Sequence, residues 1–258
     1  MIPISDDNPT LRFPVVTIAL LVLLAAVWLL VQGAGFDPVA LAASTCNWGL
    51  VPGELTGRAR VGLAVPLGAG MACVVDNDPR NILTPVTSMF LHGGWGHILG
   101  NGLFLWVFGN NVEDSMGRLR FVVFYLLCGL AAAAAQVLIN PASPVPMVGA
   151  SGAISGVLGA YLLLYPRVRV NLLVFLFIFI RVIPVPAWLM LLFWIGLQLV
   201  SGLPQLSAMR PDVSAGVAVW AHIGGFAAGL VLIKLFVNPR LMAQRQDSFR
   251  PDVSRRGW

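Results

Sequence analysis

Six apolar runs, most of them close to the twenty residues that a helix needs to cross a bilayer, constrain this chain more than any other feature. They fall at 15–32, 96–111, 121–139, 148–165, 184–200 and 220–237. Charged residues make up 10% of the chain and hydrophobic ones 58%, against about 25% charged in a soluble domain. Most of the chain is therefore kept from water. The expected fold is an all-α membrane protein of six transmembrane helices with a long first outside loop. A short cytoplasmic tail (1–14) precedes the membrane domain (15–238), and a flexible basic cytoplasmic tail (239–258) follows it. The run at 15–32 reads as a retained span rather than a signal peptide. Asp6, Asp7 and Arg12 stand where a basic leader would, and no small-residue cleavage site comes before Val31. A further apolar stretch at 170–183 contains Arg181 and runs into Pro184-Val185-Pro186. It is expected at the interface or as a lead-in to the fifth span.

The formal net charge of +5 would suggest nucleic acid in a soluble protein. Here the charges lie between apolar runs, and no basic-aromatic module accompanies them, so the expected partner is membrane lipid. With both termini cytoplasmic, the inside segments hold Arg12, Arg118, Arg120, Arg167, Arg169, Arg181, Lys234 and the tail arginines. The outside holds only Arg58, Arg60, Arg80 and Arg210. That bias fixes the orientation. It places the loops at 33–94, 141–146 and 201–219 outside, in an integral protein expected in a bacterial inner membrane.

Cys46 and Cys73 both fall in the first outside loop, where disulfides persist. A bridge between them would stabilise the loop by about 3.5 kcal/mol on the chain-entropy model; two free thiols are the alternative. Cys128, inside the third span, reads as packing.

Three spans carry polar groups at depths where such groups are costly and usually functional. The fourth starts Gly149-Ala150-Ser151-Gly152, with small residues at 152, 156 and 160 on one stripe. Alone, Ser151 and Ser155 read as two more small residues of that stripe. The sixth starts Ala221-His222, with a second stripe at Ala221, Gly225 and Gly229. Two such stripes let helices approach more closely than the usual 8–10 Å, which brings a serine on one within reach of a histidine on the other. The second carries His97 and Asn101, four apart and so on one face. Both can donate to a developing oxyanion beside the Ser151 N–H; the bland reading is a self-satisfied polar cluster. His92, before that helix, is expected to support the loop.

Even-numbered spans run inward from the outside, so Ser151, His222 and His97 share one face and a similar depth. The helix from Gly149 to Tyr165 is about 25 Å long, shorter than the hydrocarbon core of about 30 Å. Ser151 is therefore expected below the surface in a wet cavity. Glu113 and Asp114 lie at the opposite end, which predicts a Ser–His dyad without a carboxylate. Glu113 is expected to cap a helix or pair locally with Arg118 or Arg120. Ser155, one turn deeper, is the weaker choice of nucleophile. A transporter would show buried acids or inverted repeats, and neither is present in the sequence.

At these residues the chain resembles the rhomboid family of intramembrane serine proteases. The matching elements are His92, His97 and Asn101, then Gly149-Ala150-Ser151-Gly152, then Ala221-His222 with Gly225 and Gly229. Glu113 and Gly117 match the turn after the second span. The resemblance implies a six-helix rhomboid-like bundle. In it Ser151 is the nucleophile, His222 the general base, and His97 and Asn101 the oxyanion donors. It also implies transmembrane protein substrates cut near the outer face at small residues, a lateral gate bearing Trp188, Phe193 and Trp194, and no metal or cofactor. A non-proteolytic, client-binding relative is the alternative. In the first loop the chain departs from the family, with Trp48-Gly49 where many members have Trp-Arg.

Overall fold

A computed structural model describes residues 2–68, 70–176, 179–206 and 218–248. Strand β1 (Ile2–Asp6) precedes helix α1 (Val15–Ala26), which a π-turn (Val27–Val31) extends. The first loop holds α2 (Pro38–Trp48), α3 (Pro52–Leu55), the hairpin β2 (Ala64–Gly68) and β3 (Met71–Val74), and α4 (Thr84–Thr87). Helix α5 (Trp95–Phe104) passes through a π-turn (Leu105–Gly109) into α6 (Asn110–Met116). Then come α7 (Arg118–Ile139), α8 (Ser151–Leu164), β4 (Arg169–Leu176) and β5 (Phe179–Pro186). Helices α9 (Ala187–Leu206), α10 (Val219–Phe236) and α11 (Pro239–Ser248) complete the described chain. Among described residues, α7 and α10 are long and apolar enough to cross a bilayer, with shorter apolar helices at Val15–Val31, Ser151–Leu164 and Ala187–Leu203. Arg210 and most of the loop at 201–219 lie outside the described residues, as do Arg250, Arg255 and Arg256 of the tail.

The two small-residue stripes make the centre of the fold. A methyl group added at Gly225 would overlap the Gly152 carbonyl oxygen, and one at Gly229 would overlap that of Gly156. Helices α8 and α10 thus touch backbone to backbone, which only residues without a Cβ permit. From the third side α7 seals this contact, with Ala132 against Gly152 and Cys128 against Gly156. Around it pack Phe121, Phe124, Val157, Tyr161 and Phe226.

Three expectations need correction. The fold is not all helical, because 170–183 is neither an interface helix nor a simple lead-in. It forms an antiparallel sheet in the order β1-β4-β5. Alternate residues Val170 and Leu172 turn into the core, the period-two pattern of a half-buried strand. Prolines occur only on the two edge strands, Pro3 on β1 and Pro184 and Pro186 on β5, where a missing N–H costs little. The polar stretch at 1–14 therefore contains a paired strand. In the basic tail expected to be flexible, 239–248 form α11, fastened by Arg245, whose guanidinium donates to Asp114 (2.7 Å) and Asn111 (2.8 Å).

Glu113 does not pair with Arg118 or Arg120. It accepts from the backbone N–H of Val16 (3.0 Å) and Thr17 (2.8 Å) and from the Thr17 hydroxyl (2.8 Å). It is a cap for α1 supplied from about a hundred residues away. Its neighbour Asp114 takes Arg12 (3.0 Å) and Arg245 as ion-pair partners. In the first loop, Cys46 of α2 and Cys73 of β3 are joined by a disulfide, and Cys128 is free and buried.

Candidate active site

The loop before α8 sets the position of Ser151. Gly149 has φ +132°, a region that L side chains rarely adopt, and its N–H donates to the Ser88 carbonyl (2.8 Å). A Cβ at Gly149 would come within 2.6 Å of His97 Nε2. Glycine is needed here for both conformation and space. The chain then turns through Ala150 straight into α8, so Ser151 sits in the first turn with its backbone N–H unclaimed by the helix.

His222 lies in the first turn of α10, and the stripe contact brings it to the serine. Its Nε2 is 2.8 Å from Ser151 Oγ. Its Nδ1 is 2.9 Å from Gln198 Oε1 on α9, and Trp194 lies beside the ring at 5.8 Å between centroids. Among described residues, the groups bonded to the imidazole are thus a hydroxyl and a carboxamide, neither of them a carboxylate. Ser155 is turned away, its hydroxyl donating back to the Ser151 carbonyl at 2.6 Å.

On α5, the Gly93 N–H donates to His97 Nδ1 (3.3 Å). An accepting Nδ1 puts the ring proton on Nε2, the atom that faces Gly149. Asn101 is buried, and among the described residues its Nδ2 has no partner. Two donors, His97 Nε2–H and the Asn101 amide, therefore face the same space as the serine. His92 packs edge-on against His97, with centroids 5.1 Å apart. Its backbone is clamped by Gln32, which accepts from its N–H (2.8 Å) and donates to its carbonyl (2.8 Å). Ser151, His222, His97 and Asn101 all line one cavity of about 640 Å³. Its remaining wall is small or apolar, including Gly129, Met89 and Phe104.

A serine hydroxyl bonded to an imidazole nitrogen, with side-chain donors across a half-open cavity, is suited to acyl transfer. The family model of the Rhomboid domain matches residues 79–239, a range that holds all of these groups.

The chain belongs to the rhomboid family.

Rhomboids are helical bundles integral to membranes. The chain is similar to the rhomboid protease GluP of Bacillus subtilis, 43% identical over 81 residues, which are 31% of this chain and 15% of that protein. It is also similar to RHOMBOID-like protein 1 of Arabidopsis thaliana, 32% identical over 151 residues, 58% of this chain and 33% of that one. A third relative is Rhomboid protein 1, mitochondrial, of Saccharomyces cerevisiae, 29% identical over 174 residues, 62% and 43% of the two chains. The chain spans less than half the length of these curated relatives.

Of the residues singled out in the sequence, Ser151, His222, His97, Asn101, Gly149 and Gly152 line this rhomboid site, and His92 packs behind His97. Gly225 and Gly229 act at a distance, through the α8–α10 contact. Glu113 and the Cys46–Cys73 bridge lie elsewhere. Gln198 and Gln32 were missed as site groups, whereas Trp194, named for a lateral gate, lies beside the His222 ring. A single amide within an apolar helix carries no periodic signal, and only its depth in a span could have marked it.

Proposed function

We propose that this protein is an intramembrane serine endopeptidase that hydrolyses transmembrane substrates near the outer face of a bacterial inner membrane. Six spans and cytoplasmic termini are part of the proposal; the arginine bias and the apolar helices support them. The observation that carries the reading is the 2.8 Å contact between Ser151 Oγ and His222 Nε2, inside a cavity that also holds side-chain donors.

In the proposed reaction, His222 Nε2 takes the Ser151 proton as Oγ attacks the scissile carbonyl. The negative oxygen is held by the Ser151 N–H, His97 Nε2–H and Asn101 Nδ2–H. The protonated His222 then gives its proton to the leaving amine, and an acyl-enzyme remains. Water, deprotonated by His222, attacks the ester; its bond to Ser151 Oγ breaks, the imidazolium returns the proton to Oγ, and the acyl product leaves. The small residues of the wall suit a substrate backbone that enters unwound, with small side chains at the cut.

Incubation of the purified protein with a fluorophosphonate tests the reading. Label on Ser151 that is lost in Ser151→Ala and in His222→Ala is the expected result. A folded wild type that takes no label, and cleaves no transmembrane peptide, would overturn it in favour of client binding.

A further inference from the structure

Gln198 contacts the dyad from a helix that carries neither dyad member. It lies on α9, one turn beyond Trp194, and both side chains meet the His222 ring, the amide at 2.9 Å from Nδ1. A carboxamide oxygen only accepts. The contact therefore fixes the proton of neutral His222 on Nδ1 and leaves the Nε2 lone pair facing Ser151 Oγ. In the opposite tautomer Nε2 would carry the proton and could not accept another, so the ring would not serve as a base. Orienting groups of this kind set which nitrogen reacts.

We propose that Gln198 is a positioning residue that holds His222 in the Nδ1–H tautomer and steadies the imidazolium formed during attack. This rests on the protease reading of Ser151 and His222. In the step itself, the Oγ–H bond breaks and an Nε2–H bond forms. Nδ1–H stays in place throughout, bonded to the amide oxygen, and the positive charge is shared across the ring. A neutral acceptor does this without adding a carboxylate to an apolar bundle, where a second charge is costly. The arrangement also ties the base to the seat of α9. A shift of that helix by about 1 Å stretches the contact past hydrogen-bond range.

The chain has three histidines, so a nitrogen-15 histidine spectrum of the whole protein can be assigned with His222→Ala. The wild type is expected to show His222 protonated on Nδ1. Gln198→Met, close in size but without a carbonyl, is expected to lose that preference. It should also lower kcat on a transmembrane peptide by about 10- to 100-fold, with KM within about 2-fold. Gln198→Glu should keep the tautomer and, by stabilising the imidazolium, move the acid limb of the kcat profile to higher pH. A wild-type His222 protonated on Nε2 would overturn the proposal, and so would a Met variant with unchanged kcat and pH profile. If the Met variant does not fold, the Glu variant decides, an unmoved acid limb being the refuting result. A wild type with the Nδ1–H tautomer but neither label nor turnover would sink the protease reading and leave the role of Gln198 in orienting the ring intact.

Discussion

At one end of the bundle, Glu113, Asp114 and Arg245 are all buried, and their charges are met by backbone N–H groups, hydroxyls, amides or an opposite charge. At the other end Asn101 is buried too, yet among the described residues its amide nitrogen has no partner. An unpaired buried polar group costs about 1–3 kcal/mol. The first end therefore contributes to stability, while the second gives some up and, on the proposed function, keeps the Asn101 amide available for a substrate. Sites held ready for charge that develops during a reaction have this character.

The contrast can be broken most severely at the contact that joins the two ends. Gly225→Leu forces α8 and α10 apart and is expected to give no folded protein, as judged by recovery of a monodisperse species in detergent. Next, Ser151→Ala should lower turnover by at least about a thousand-fold while leaving the unfolding midpoint unchanged. Glu113→Ala should do the reverse, costing about 4 kcal/mol in equilibrium unfolding because α1 loses its cap and three bonds go unmade. Activity per folded molecule should persist. A Glu113→Ala protein as stable as wild type would remove the distinction between the two ends. Cys46→Ala with Cys73→Ala should cost about 3.5 kcal/mol, seen as faster proteolysis in the first loop rather than loss of the bundle.

The smallest effect is a pH slope. Burial raises the Asp6 carboxyl to about 6, against hydrogen bonding from Tyr161 and the charge of Arg245. The fold then holds this proton more tightly than the unfolded chain does, so its stabilising share is full below about pH 4. It is lost as pH rises through about 6. The unfolding temperature should fall by a few degrees between pH 5 and 7, and Asp6→Asn should flatten that change. A slope that survives in Asp6→Asn assigns it to another group.

What was readable in the sequence follows from how local each signal is. His97 and Asn101 share a helix face by spacing alone, and the two glycine stripes announce close packing wherever they occur. The partners of Glu113 did not show. Arg118 and Arg120 are near in sequence, whereas the backbone it caps is 96 and 97 residues away. The apolar run at 170–183 reads alike as a strand or as a lead-in to a helix. Pairing selects the strand, locally with β5 and also with β1, some 165 residues distant. Gln198 and Gln32 were hidden for the same reason: one amide in an apolar stretch acquires meaning from what folds against it.

The union of strand β1, sheet neighbour β4 and Arg245 bears on the order of biosynthesis. β1 leaves the ribosome first, but its partner is made only after the serine helix. Arg245, the second of the two guanidiniums on Asp114, emerges later still. Until then Asp114 has Arg12 alone as its counter-ion, and β1 is an edge without its mate. This end of the bundle closes last, like a clasp, and a chain stopped short of residue 245 would leave it undone.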